Sequence, residues 1–299
     1  MTQVSHPFAS PEGLPAPTRT PLLGGDDPEH KRRELLDYFR QTFDLYDSLF
    51  DCLADARAWF NKAIPLRHPL IFYYGHTAAF FVNKLLAANL IDRRLDPRIE
   101  AMVAIGVDEM SWDDLDETHY DWPAVAELRA YRGRVRALVC DFIERMPIAL
   151  PIDWQSPAWV ILMGIEHERI HLETSSVLIR QLPLAWVQPQ PYWPACTEAR
   201  HRIDEVPANS LLPVAGGQVR LGKRDATYGW DNEYGERHIE IPPFQASRML
   251  VSNAEYLDFV QAGGYQQQEW WDQEGWGWCQ YARARMPTCL GGDPAAPAQ

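Results

Sequence analysis

The stretch between Pro157 and Pro183 has no internal proline and a single glycine, Gly164, and its apolar residues recur at helical spacing. Val160, Gly164, His167, His171, Thr174 and Leu178 fall at alternating steps of four and three, which puts them on one side of a helix. Side chains four apart on a helix lie on the same face, about 40° apart in projection. His167 and His171 are therefore predicted neighbours on the stripe that faces the interior. Such a stripe has to be covered by other elements, and neutral imidazoles on it must find partners or cost about 1 to 3 kcal/mol apiece. A shared cation satisfies both at once; two separately hydrogen-bonded core histidines are the competing reading. In a chain with nine histidines a His-x-x-x-His pair arises by chance roughly 0.3 times, so the pair needs support from elsewhere. Among the flanking carboxylates, Glu173 is the candidate acceptor for the second ring nitrogen of a ligand histidine. Glu166 and Glu168 read as a solvated flank with Arg169 and Arg180 as counter-charges.

Three further segments have helical periodicity. From about Pro28 to Leu53, Leu35, Leu36, Phe39, Phe43, Tyr46, Leu49, Phe50 and Leu53 form one broad apolar face. A second helix runs from Leu70 to Ala88, with Phe72, His76, Phe80 and Asn83 on a shared face. A third covers about Pro123 to Arg145, and Pro147, Pro151 and Pro157 separate it from the histidine-pair helix. Four long amphipathic helices make a bundle, in which metal ligands project inward from facing helices. His76 adds a third histidine, and a three-histidine set leaves positions open on a metal, as catalytic sites do. Taken alone, His76 also reads as a core histidine bonded to Tyr73 or Asn83.

The formal charge of −13 disfavours nucleic acid or an anionic membrane surface as the main partner, because either needs Lys/Arg patches. No apolar run approaches the length needed to span a bilayer, and no signal-peptide core is evident, so the chain reads as cytosolic with small-molecule partners. Five dispersed cysteines without a Cys-x-x-Cys indicate neither a disulfide framework nor a zinc ribbon. Residues 1–29 form a Pro-rich leader, 30–200 the bundle and 208–288 a second domain. In the last of these the periodicity turns to short strands, with a turn at Ala215-Gly-Gly217 and a short helix near Val251–Val260. The tryptophans from Trp270 to Trp278 are expected in core and interdomain packing rather than in a stacking platform, and residues 289–299 read as a disordered tail.

Three strings stand together in order: Arg67-His-Pro-Leu-Ile-Phe-Tyr-Tyr-Gly-His-Thr-Ala-Ala-Phe-Phe-Val-Asn-Lys84, Gly106-Val-Asp-Glu-Met-Ser-Trp-Asp-Asp-Leu115, and the His-x-x-x-His-x-Glu of His167, His171 and Glu173. Over roughly residues 30 to 288 the chain resembles the 5-histidylcysteine sulfoxide synthase family of ovothiol biosynthesis. The related ergothioneine-pathway enzymes share the histidine set but not the Gly-Val-Asp-Glu-Met-Ser-Trp string. The resemblance implies a multidomain α and α+β chain: a DinB-like four-helix bundle followed by an incomplete formylglycine-generating-enzyme-like (C-type-lectin-like) domain. It also implies a mononuclear non-heme iron(II) on His76, His167 and His171, with dioxygen used to join the sulfur of cysteine to the imidazole of histidine. Asp108, Glu109 and Asp113 are candidates for the substrate's ammonium group, against a structural reading as helix caps in a solvated loop.

In that family the second domain extends much further and carries an active-site tyrosine, whereas this sequence departs after about Pro287. The departure reads as a premature end, with very low turnover expected of this chain by itself. Two other readings stand beside the synthase: a zinc-dependent DinB-like thiol transferase or hydrolase, and a non-catalytic metal-binding fragment.

Overall fold

A computed structural model describes residues 19–65, 67–104, 120–194 and 208–287. Its helical unit contains α1 (Pro28–Phe50), α2 (Arg57–Phe60), α3 (Leu70–Ala87), α4 (Pro97–Met102), α5 (Val125–Arg145) and α6 (Pro157–Ile179). The long helices are the four predicted from periodicity, and their starts follow from capping chemistry. Asp27 accepts from the Glu29 and His30 amides ahead of Pro28, and Ser156 accepts from the Ala158 amide ahead of Pro157. In both, an oxygen-bearing cap satisfies free amides while proline pre-sets the first helical φ. The short helices α2 and α4 have too few turns to show a period, and the sequence did not signal them.

Within the bundle α3 packs against α5 and α6, and α1 packs against the same two from the other side. Leu35, Phe39, Phe43 and Phe50 of α1, Ile71, Phe72 and Phe81 of α3, Val135 and Val139 of α5, and Ile161, Leu162 and Ile165 of α6 close one core. Residues 19–27, expected in a leader, lie against this unit: Lys31 Nζ donates to the Leu22 carbonyl, and the Ile152 amide donates to the Leu23 carbonyl. Gly222–Gly235, expected in the second domain, also belongs to the helical unit by its contacts. Thr227 bridges to Leu22, and Tyr228 packs its ring 4.8 Å from that of Trp159. Those aromatic side chains have apolar area to bury.

The second unit holds β1 (Leu211–Val214), β2 (Gly217–Leu221), β3 (Arg237–Ile241), β4 (Phe244–Ser247), α7 (Asn253–Gln261) and α8 (Gln273–Ala282). β1 pairs with β4 and β2 with β3, both antiparallel, in two separate two-stranded ribbons. Every residue of β1 and β2 is exposed. Among the tryptophans, Trp271 sits against Tyr265, and Trp270 and Trp278 are about half exposed. The predicted tail lies outside the described residues.

One close approach sets the distance between α3 and α6. A Cβ placed on Gly164 would stand 2.3 Å from the Phe81 ring, and Phe81 is itself buried. Alanine is favoured over glycine in a helix by about 1 kcal/mol, while overpacking a full core costs about 1 to 3 kcal/mol. Gly164→Ala is therefore expected to lower stability by up to about 2 kcal/mol in urea unfolding, with Phe81→Leu in the same chain restoring part of it. An alanine variant more stable than the parent would show that the helices do not meet there.

Candidate metal centre

α3 and α6 face each other so that His76 meets His167 and His171. One ring nitrogen from each lies within 4.8 Å of the other two, in the cluster of possible ligands found among the described residues. His76 and His171 are buried and His167 is half-buried. The two α6 rings present Nε2 to Nε2 at 3.1 Å, close to the roughly 3 Å that separates adjacent nitrogens bound to one cation at about 2.0 to 2.2 Å. His76 donates from Nδ1 to the Val103 carbonyl at 2.7 Å. That bond fixes the tautomer and leaves Nε2 as a lone-pair donor, the usual outer contact of a ligand histidine. The partner is neither Tyr73 nor Asn83, the two considered from sequence.

Aromatic faces surround the rings. Phe80 stacks on His167 at 3.7 Å, Phe72 stacks on His76 at 5.0 Å, and Tyr73 tilts against His171 at 5.8 Å. In this setting burial pulls His76 below the ordinary imidazole range, pulls His167 well below it with His171 and His76 adding to the effect, and pulls His171 to about 3. All three rings are accordingly neutral at pH 7, the form that binds a metal. Apolar walls, neutral nitrogens and the 3.1 Å spacing of the α6 pair suit a single divalent cation, with a nitrogen of His76 within 4.8 Å of both.

The other expected residues divide. Glu173 is exposed, and the buried Nδ1 atoms of His167 and His171 have no hydrogen-bond partner among the described residues. Glu173 therefore does not serve as their acceptor here, and it lies on the outer side of α6 with Thr174. Asp108, Glu109 and Asp113 lie outside the described residues. Glu168 corrects the sequence reading most sharply: it is fully buried rather than solvated. α6 is rotated so that Glu168 and Ser175 point into the core while the two histidines stand at the edge of the buried face.

Glu168 is held by residues that the sequence did not single out. Arg132 of α5 donates from Nη2 to Glu168 Oε1 at 3.0 Å, and the Thr77 hydroxyl donates to the same oxygen at 3.1 Å. Burial pushes the Glu168 carboxyl up to about 7 against the pull of Arg132. Glu166, in contrast, is half-buried and accepts the Tyr38 hydroxyl.

The depressed His171 gives a test with a definite sign. In the unfolded chain His171 has an ordinary pKa near 6.5, and in the fold about 3, so between those values the unfolded chain carries a proton that the folded chain does not. Stability is kept above about pH 6.5 and falls as pH drops toward 3, by about 1.4 kcal/mol per pH unit from this ring. His171→Asn should flatten the pH dependence of the metal-free protein by about that slope, measured by denaturant unfolding at pH 7, 6 and 5. Parallel curves for parent and variant would mean that the ring titrates normally in the fold.

Comparison with known proteins also divides the chain in two, with Gly222–Gly235 inside the second match. The DinB superfamily matches residues 38–175 and the sulfatase-modifying factor enzyme 1-like domain matches 197–295. The chain thus combines a DinB-like helical domain with a sulfatase-modifying-factor-like domain. It is 28% identical over 245 residues to the hercynine oxygenase of Mycolicibacterium thermoresistibile, covering 82% of this chain and 51% of that protein. With the hercynine oxygenase of Mycolicibacterium smegmatis it shares 32% over 220 residues, covering 71% and 47%. With ergothioneine biosynthesis protein 1 of Neurospora crassa it shares 25% over 231 residues, covering 67% and 24%. The matched region therefore spans from about a quarter to about half the length of these relatives.

Proposed function

We propose that this protein is an iron(II)-dependent sulfoxide synthase that uses dioxygen to join the sulfur of cysteine to the imidazole of histidine. The observation that carries the reading is the convergence of three neutral imidazoles from two helices, two of them buried and the third half-buried. The overall change balances: the thiol S–H and one imidazole C–H are lost, a C–S bond forms, one oxygen atom is added to sulfur, and the other leaves as water. A bound ferrous ion would supply a Lewis-acidic, redox-active centre with positions left for thiolate and dioxygen.

The chain's own residues hold that environment. His76, His167 and His171 offer neutral donors, which preserve a cation's charge for anionic thiolate. The Val103 carbonyl fixes the His76 tautomer. Phe72 and Phe80 cover the imidazole faces and keep water from them, which strengthens electrostatic interactions in the site. The string Gly106–Leu115 favours histidine as the acceptor, as in the ovothiol branch. A second reading, with hercynine as the acceptor imidazole, is favoured by the relatives named hercynine oxygenase.

Anaerobic purification with metal analysis tests the centre first. The protein should take up a full equivalent of iron(II), and His167→Ala or His171→Ala should abolish stoichiometric binding; retention of a full equivalent would remove the assignment. Oxygen uptake is then compared with cysteine plus histidine and cysteine plus hercynine, with products weighed by mass spectrometry. An adduct of cysteine and histidine carrying one added oxygen supports the proposal, and preference for hercynine moves the protein to the ergothioneine reaction. A protein that retains zinc, excludes iron and consumes no oxygen would be the thiol transferase or hydrolase instead.

A further inference from the structure

We infer that Thr77 and Arg132, acting through the Glu168 carboxylate, are positioning residues that fix the rotation of α6 against α3 and so set the geometry of the three-histidine cluster. This rests on reading those histidines as a cation site. Thr77 directly follows His76 on α3, and Glu168 directly follows His167 on α6. The two helices therefore meet twice at one level: His76 and His167 with ring centres 5.1 Å apart, and Thr77 Oγ1 to Glu168 Oε1 at 3.1 Å. Consecutive residues on a helix point about 100° apart, so the two contacts constrain different faces. One contact alone leaves each helix free to turn about it; two do not.

Arg132 locks the second contact from a third helix. Its Nη1 donates to the Thr77 hydroxyl and to the Tyr74 carbonyl, both at 2.8 Å, while Nη2 reaches Glu168 and Nε reaches Asp47 of α1 at 2.6 Å. The Thr77 hydroxyl thus accepts from Arg132 and donates to Glu168, which uses both of its capacities and orients it. Phe43 and Tyr74 cover the guanidinium at 4.2 and 4.6 Å, so its planar fork has little freedom to re-aim. A buried ion pair is a weak source of net stability and is often replaceable by apolar side chains. Stability alone does not account for placing one beside two candidate ligands.

The required precision is high. Turning α6 by about 20° moves an atom about 5 to 6 Å off its axis by about 2 Å, whereas metal bonds hold to within a few tenths of an ångström. Apolar side chains can repack around such a turn with little loss of fit. Two directional hydrogen bonds and a charge cannot. Loss of a residue that hydrogen-bonds directly to a metal ligand typically weakens binding about 10- to 100-fold, and Thr77 and Arg132, one step further out, are expected at the lower end of that range.

The test uses Co(II) as the probe, titrated anaerobically into the metal-free protein and followed by its d–d absorption. Thr77→Val keeps the side-chain shape and removes the hydroxyl; it should raise the Co(II) Kd about tenfold and change the absorption bands, and Thr77→Ser should restore both. Thermal unfolding of the metal-free proteins is recorded alongside, since a purely structural role moves only the melting temperature. If Thr77→Val does not fold, Arg132→Lys carries the same test, because an ammonium keeps the charge but cannot reach Glu168, Thr77 and Tyr74 together. A weaker and spectrally altered Co(II) complex in the folded variant supports the inference. Parental affinity and spectrum, whatever the fall in melting temperature, would overturn it and leave the network as a fastener of the bundle. Failure of the parent protein to bind Co(II) would overturn the cation-site reading and this inference with it.

Discussion

Three imidazoles kept uncharged and close together inside an apolar interior are the constraint that the rest of the helical unit answers to. A charged ring there would lose its hydration without a counter-charge, and three would repel one another, so burial and mutual proximity both push the rings toward the neutral form. Neutral rings still need partners for their nitrogens. His76 finds one in the Val103 carbonyl, whereas the two Nε2 atoms on α6 face each other at 3.1 Å. Two lone pairs at that distance are unfavourable unless a proton or a cation lies between them. The apolar surroundings of Phe72, Phe80 and Tyr73 make the choice consequential, because a polar group left unmatched costs more in low dielectric than in water.

Meeting that constraint depends on how closely α3 and α6 can approach. Gly164 gives the room, since its missing side chain admits the Phe81 ring, and Gly75 does the same on the other side of α3, where a Cβ would meet Val103 and Leu128. The second glycine matters for a reason beyond packing. Val103 follows α4, and bringing α4 close to α3 is what delivers the Val103 carbonyl to His76. Glu100 of α4, fully buried, accepts the Leu95 and Asp96 amides and is paired with Arg94. A six-residue helix with little stability of its own is thereby fastened well enough to carry a hydrogen-bond acceptor for a site residue.

Much of this was legible in the sequence because the signals are local. Proline and its preceding Asp or Ser mark the starts of α1 and α6, apolar periodicity marks their lengths, and a four-residue interval places His167 beside His171. The rotation of α6 was not legible. A charged residue inside an apolar run is ordinarily assigned to solvent, so periodicity turns Glu168 outward and Thr174 inward, and the predicted interior stripe lies displaced toward the histidines. What brings Glu168 into the core is Arg132 on α5, and no local pattern joins two residues on different helices. The same limit hid Val103, whose role depends on a backbone carbonyl rather than on a side chain. Glu173 failed in the opposite direction: proximity in sequence to His171 suggested an acceptor, but two residues along a helix is about 200° around it, and the carboxylate is carried outward.

The distribution of donors over the bundle has a mechanical consequence. Two of the three come from α6, four residues apart, and their separation is fixed by the geometry of that helix alone. The third comes from α3, so only the relation between α3 and α6 is free to vary. Apolar packing sets the distance between those helices, through Gly164 and Phe81, but it is poor at setting rotation, because rings and aliphatic chains tolerate turning over one another. Hydrogen bonds are directional, and the polar contacts among Thr77, Glu168 and Arg132 lie in the one place where direction matters, a single residue beyond His76 and His167. Separation by packing and rotation by buried polar contacts are therefore two distinct requirements on the same pair of helices, and a sequence that met only the first would form the bundle without fixing where its histidines point.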